Sequence, residues 1–260
     1  MEKTDLSIVT PLYNAADTLP EALSSVQALS NQVRLEHIII NNMSDDGSSE
    51  LVRSYRQEAK YKVREIKEPD GGIYEAMNKG IQISDGASIL ILNADDIVAV
   101  NGTVGQLHLL TQGCDLVGGI VTKFSGKQNV AEGIRQAGTK DWHPNLKGFL
   151  EGTSFRPPFS HVGMVAKRTC YEAIGNYDCS YRVAADVDWM FRARGAGLKF
   201  GAVNTVVGYF RAGGRSSNGS WIREYYQLLR RHDESSIRCK AFIFRVYLNH
   251  FLRSVIKSVY

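Results

Sequence analysis

Asp95 and Asp96 follow the apolar run Ser88–Leu92 with only Asn93 and Ala94 between. Adjacent ionised carboxylates repel, so this pair either holds a cation or forms a turn in which one of them caps the next segment. Oxygen donors of this kind suit a hard ion, Mg²⁺ or Mn²⁺, which would bridge substrate phosphates. A second acidic pair, Asp186 and Asp188 in RVAADVDWMFRAR, stands at the start of a helical pattern. A carboxylate there either caps the helix or, facing a cleft, accepts a proton from an acceptor hydroxyl. Thr10, Pro11, Tyr13 and Asn14 combine an aromatic face with hydroxyl and amide groups, a set that suits a nucleobase or an ordinary turn with a packed tyrosine. Asp70-Gly71-Gly72 reads as backbone N–H groups offered to an anion or as a flexible connection. His161 is a candidate acceptor-side or phosphate contact, weighed against a satisfied structural histidine.

The elements that would position these groups alternate through the first hundred residues. Leu6–Thr10 is a β-branched strand. A helix follows from Thr18, where Thr18-x-x-Glu21 has capping-box spacing. Strands at His37–Ile40 and Val63–Lys67 alternate with helices at Glu50–Lys60 and Ile73–Ile83, the last with Ile73, Met77, Gly80 and Ile81 on one face. Ser88–Leu92 is apolar throughout, as expected of a strand buried on both faces. Short loops between such elements imply a mostly parallel sheet with right-handed crossovers, whose ligands sit beyond the strands' carboxyl ends. Residues 11–14, 41–46, 69–72 and 93–96 leave those ends and must converge on one rim.

Beyond residue 100 the alternation weakens. A helix at Val104–Leu110, apolar stretches at Leu116–Gly119 and Ile120–Thr122, an irregular interval from Lys123 to Pro158, a strand at His161–Ala166, a helix at Asp186–Arg194 and two short strands within Lys199–Phe210 complete the reading.

The 260 residues, 43% hydrophobic and 22% charged, build one packed unit and leave no room for two full catalytic domains. Cys114, Cys170, Cys179 and Cys239 form no C-x-x-C pair, which argues against a disulfide framework or a zinc site and for a reducing compartment. The first ten residues lack a secretory layout, and no stretch reaches the roughly 18 apolar residues of a membrane span. P-loop, dinucleotide-binding and H-E-x-x-H signatures are absent. Net charge is +4, yet residues 222–260 hold eight basic and three acidic side chains, so the remainder carries −1. That tail interleaves arginines with Tyr225, Leu228, Phe242, Phe244 and Phe251, as one or two amphipathic helices on an anionic membrane would, or as a helical pair packed on the domain would.

Taken together, SIVTPLYNAADTLPEAL, IIINNMSDDGSSE, EPDGGIYEAMNKGI, ILILNADD and YRVAADVDWMFR resemble, in order, the blocks of glycosyltransferase family 2. YFRAGGRSS is similar to the glycine-serine segment that follows them, and the third block is most like the subgroup that builds bacterial exopolysaccharide, capsule or O-antigen units. The resemblance implies a GT-A-type, Rossmann-like α/β fold with a mostly parallel central sheet flanked by helices, over residues 1–220, followed by a basic amphipathic helical tail at 221–260. It implies inverting transfer of a sugar from a nucleoside-diphosphate sugar to a hydroxyl of a lipid-linked saccharide. By position, Asp186 would be the base, Asp96 would ligate the Mn²⁺ or Mg²⁺, and Asp95 would face the ribose and diphosphate. Thr10, Pro11, Tyr13, Asn14, Asn41, Asn42, Asp70 and Asn78 fall in the donor-binding blocks, and His161 and Asp188 on the acceptor side. Two positions depart from the family pattern: Asn41-Asn42 stand where an aspartate usually reads the base, and Asn93 replaces a common aspartate. The expected location is cytoplasmic, peripheral on the inner face of the membrane, with no nucleic-acid partner. A catalytically silent nucleotide-sugar-binding protein on the same fold is the competing reading. A sugar-nucleotidyltransferase should carry a glycine-rich basic loop where Pro11–Asn14 stands.

Overall fold

A computed structural model describes residues 4–126, 141, 142, 144–212, 221–232, 237, 240–246 and 248. Strands β1 (Leu6–Leu12), β2 (Leu35–Asn41), β3 (Lys62–Lys67) and β4 (Ser88–Ile91) pair in parallel in the order β3-β2-β1-β4. Helices α1 (Leu19–Leu29), α2 (Ser48–Glu58) and α3 (Ile73–Gln82) make the crossovers. Strand order reverses between β1 and β4, and such a switch point opens a crevice beyond the carboxyl ends of the strands. Every residue of β1, β2 and β4 is buried, because helices cover both sheet faces. Pro11 lies inside β1, where its missing N–H ends the ladder towards β4 after Val9↔Ile91 and Leu92 N→Val9 O, leaving the crevice open at that point.

The expected capping box does not form. Thr18 is the N-cap of α1 but its hydroxyl bonds the Ala15 and Ala94 carbonyls, and the Glu21 carboxylate turns to Arg211.

The second half adds β5 (Ile97–Val98), α4 (Val100–Thr111), β6 (Leu116–Phe124), β7 (Asp141–Trp142), α5 (Leu146–Leu150), β8 (Met164–Lys167), α6 (Arg168–Ile174), α7 (Ala185–Gly195), β9 (Phe200–Arg211) and α8 (Trp221–Arg231). The sheet continues past β4 as β8-β6-β9-β5, with β7 on β6. Because β8 runs antiparallel to β4, with Leu90↔Val165, its amino end lies at the same rim as the carboxyl end of β4. The expected strand over His161–Ala166 begins as a 3₁₀ turn at His161–Gly163, which delivers His161 to that rim. Strand β9 runs parallel to β6, so its carboxyl end, Arg211, arrives there too.

Helix α8 packs on the domain. Ile222, Tyr225, Leu228 and Leu229 are buried, the last three in the same cluster as Trp189 and Phe191 of α7. A further helical stretch at 240–246 places Phe242 against Phe155 and Tyr225 and leaves Phe244 exposed. The expected tail contacts at Phe251 and beyond, and the segment 213–217, lie outside the described residues.

Candidate active site

Asp186 sits in the first turn of α7 with little of its side chain exposed. Its Oδ1 accepts a hydrogen bond from the Tyr74 hydroxyl of α3 at 3.0 Å, and its Oδ2 lies 3.1 Å from His161 Nδ1. Burial pushes the Asp186 pKa up, but the His161 hydrogen bond and charge, with Tyr74, outweigh it, so the carboxyl titrates below its ordinary range. Burial pulls His161 down, but Asp186 and the fields of Asp96 and Asp95 outweigh that and raise it. Burial and the Asp186 charge hold the Tyr74 hydroxyl protonated. The base candidate is therefore an oriented, ionised carboxylate with lone pairs still free to accept a further proton donor.

His161 also reaches the second acidic group. Its Nε2 is 3.3 Å from Asn93 Nδ2, which donates to Asp96 Oδ2 at 2.9 Å. Asp96 is fully buried, and its Oδ1 accepts from the Arg211 backbone N–H at 2.9 Å. Burial, and then the charge of Asp95, push the Asp96 carboxyl up to about 7, and burial also raises Asp95. Arg211 locks this loop. Its side chain donates to the Asp95 and Gly126 carbonyls, pairs with Glu21 and covers the Phe124 ring. Asn93 Oδ1 is buried without a protein partner.

The donor-side residues divide. Tyr13 and Met43 project from neighbouring loops at 57% and 52% exposure. The described non-glycine residues with positive φ are Asn14 and Met43, both in these loops, and backbone strain of this kind concentrates at functional sites. Asn14 joins the loops by exchanging side-chain hydrogen bonds with Asp45 and taking Ser44 Oγ on its backbone N–H. Thr10 is buried against His37, and Asn41 is buried with its amide spent on Ser49, Glu65 and the Ser44 N–H. Asn42 accepts from the Asp70 N–H. The Gly71 and Gly72 N–H groups are taken by Glu75 and Asp70, so the opening of α3 is capped by its own carboxylates. Asn78 ties α3 to the Tyr177 backbone.

Asp188 lies two residues beyond Asp186, a separation that puts the two on nearly opposite helix faces. Its carboxylate is buried between Arg192 at 2.8 Å and His232, the residue that follows α8, at 2.9 Å. This placement does not fit the acceptor-side expectation, because one oxygen is taken by Arg192 within α7 and the other by His232 just past α8. Tyr74, Arg211 and Glu224, which hold Asp186, the Asp95-Asp96 loop and the turn before α7, were not signalled by residue type. Tyr74 and Arg211 do stand inside the quoted sequence blocks, which is the signal that points to them.

Among the described residues no group of three or more His, Cys, Asp and Glu side chains surrounds a common point. A Mg²⁺- or Mn²⁺-type ion nonetheless takes one or two protein carboxylates and completes its shell with phosphate and water. Asp95 and Asp96 fit that pattern, since their raised proton affinity is what a divalent charge would relieve.

A parallel half-sheet read at its switch point, closed by an antiparallel extension that returns a histidine and an arginine to the same rim, is the GT-A architecture. The glycosyl transferase family 2 profile matches residues 7–171, and the chain belongs to that family. A PGL/p-HBAD biosynthesis glycosyltransferase of Mycobacterium bovis is 26% identical over 227 residues, 86% of this chain and 83% of the relative. An uncharacterized glycosyltransferase of Mycobacterium tuberculosis is 31% identical over 203 residues, 72% of this chain and 68% of its own. Among solved structures, S. aureus TarS 1-349 in complex with UDP-GlcNAc superposes with a TM-score of 0.64 at 15% identity, over 88% of this chain and 65% of that one. The mannosyltransferase PcManGT of Pyrobaculum calidifontis, in complex with GDP-Man and Mn²⁺, gives 0.62 at 19% identity, over 91% and 65%. At these identities the solved structures speak to the fold.

Proposed function

We propose that this chain transfers a sugar, with inversion, from a nucleoside-diphosphate sugar to a hydroxyl of a lipid-linked saccharide during assembly of a bacterial surface polysaccharide. The observation that carries this reading is the Asp186 carboxylate, held by Tyr74 and His161, with His161 Nε2 3.3 Å from Asn93 Nδ2 of the loop that carries Asp95 and Asp96. One carboxylate removes the acceptor proton, while the loop across the rim faces the leaving diphosphate. Asp96, with Asp95, would hold the divalent cation, which when bound neutralises charge developing on the leaving group. The protein otherwise supplies alignment: Asp186 is oriented before the acceptor arrives, and Arg211 fixes the loop against which the donor sits. Tyr13 and Met43 offer the exposed faces for the base, while Asn41, already committed, acts by shaping the loop rather than by reading the base edge. His161 stays on the acceptor side as the partner of Asp186.

The complexes of the two structural neighbours support a nucleotide-sugar donor, and the Mn²⁺ of one supports the metal. The basic tail, with exposed Ile237, Phe244 and Leu248, supports an acceptor presented at the cytoplasmic membrane face. Among the described residues no helix is long and apolar enough to cross a membrane.

The test pairs ligand-induced thermal shifts with turnover. One nucleoside diphosphate should raise the melting temperature only with Mn²⁺, and Asp186→Asn should keep that shift while transfer falls about 10²–10⁴-fold. Binding without turnover of any donor by the intact chain would favour the catalytically silent reading.

A further inference from the structure

The turn that leads into α7 is held from outside by α8. Glu224 accepts hydrogen bonds from three successive backbone N–H groups: Arg182 to both carboxylate oxygens at 3.0 and 3.1 Å, Val183 at 2.8 Å and Ala184 at 3.2 Å. Ala184 is the N-cap of α7 and has no side chain to offer, so the carboxylate that fixes this helix entrance comes from 40 residues downstream. The negative charge also suits the positive end of the helix dipole. Three further ties keep α8 in place: Tyr225 OH to the Phe155 carbonyl, Arg231 to Asp178 at 2.6 Å, and His232 to Asp188 at 2.9 Å. Asp186 is two residues past Ala184 and must meet both Tyr74 and His161, so its position depends on where the helix entrance is held.

We propose that Glu224 is a positioning residue for glycosyl transfer and that α8 is a working part of the catalytic unit, setting where Asp186 stands. The proposal rests on Asp186 being the base. A shift of about 1 Å in a reacting group costs on the order of 10²-fold in rate without weakening donor binding. The carboxylate therefore acts on kcat, through the backbone it grips.

The experiment uses full-length Glu224→Ala and Glu224→Gln. Amide hydrogen exchange across residues 182–190 should accelerate in the alanine variant. Its kcat per nucleotide-binding site should fall about 10- to 100-fold with the donor KM within twofold. Glutamine, which keeps one acceptor oxygen, should restore part of both. A merely structural role would lower the fraction of sites that bind nucleotide and leave kcat per site intact, and that result overturns the proposal. Unchanged exchange at 182–184 overturns it as well, and does so without turnover. Full activity of Asp186→Asn would instead remove the base assignment, leaving the exchange data to decide whether Glu224 holds the turn.

Discussion

The Asp186–His161 pair is the place where charge and position are most tightly linked, and its pH behaviour follows from the directions of the two shifts. Asp186 is lowered in the folded state, so its contribution to stability is present above the ordinary carboxylate range and is lost as pH falls through its folded value. His161 is raised, so its contribution is complete below its ordinary value of 6.5 and is lost as pH rises through the folded value. Together they stabilise the fold in the pH window that lies above the folded value of Asp186 and below that of His161. Removing one member of a nearly buried pair costs about 3–5 kcal/mol, or on the order of 10 °C in a chain of this size. His161→Leu should therefore melt on the order of 10 °C below the parent at pH 5.5, and the gap should narrow at pH 9. A gap independent of pH would mean that His161 is neutral in the fold. Asp95, Asp96, Asp186 and His161 were legible as residues because buried or clustered charge demands a reason. Tyr74 was not, because a tyrosine in the first turn of an amphipathic helix reads as core until its hydroxyl is seen to meet a residue 112 positions away.

At the scale of elements, α3 shows how the sequence pattern and the packing agree. Gly80 lies on the apolar face of that helix against β1, and a methyl group there would come within 2.2 Å of the Val9 side chain, which is fully buried. Alanine is the better helix former by about 1 kcal/mol, yet overpacking costs about 1–3 kcal/mol. Gly80→Ala should lower the melting temperature, and Val9→Ala added to it should recover part of the loss, a coupling that two independent sites would not show. The parallel half of the fold was legible because turn chemistry separates its elements at each junction. The antiparallel half was less so. Leu116–Thr122 reads as two apolar stretches and Lys199–Phe210 as two short strands, whereas β6 and β9 are each continuous. The apparent breaks are nevertheless physical. The β6–β9 register shifts between Gly118 and Val121, Ala202 pairs with Gly118 and Val206 with Ile120, and the intervening Asn204 and Thr205 are exposed. A bulge interrupts the alternation that marks a strand, so its sequence signature resembles a loop.

The net charge of +4 conceals a nearly neutral body and a basic end, and the described part of that end divides into a packed helix and exposed apolar side chains. Residues 221–232 bury their apolar stripe on the catalytic unit, whereas Ile237, Phe244 and Leu248, among the described residues of the tail, are exposed at 85%, 70% and 45%. Truncation at two points separates these roles. A chain ending at His232 keeps the Glu224 and His232 contacts and should remain folded, with a melting temperature moderately below that of the parent because Phe242 no longer covers Phe155 and Tyr225. It should also lose flotation with vesicles containing about 30% anionic lipid, since each basic residue near such a surface contributes on the order of 1 kcal/mol. A chain ending at Ser220 strips the cover from Trp189 and Phe191 and leaves Asp188 with Arg192 alone, so it should be insoluble or melt far lower. Equal flotation of the His232-terminated chain would remove the membrane role from the tail. A stable, fully active chain ending at Ser220 would remove α8 from the catalytic unit.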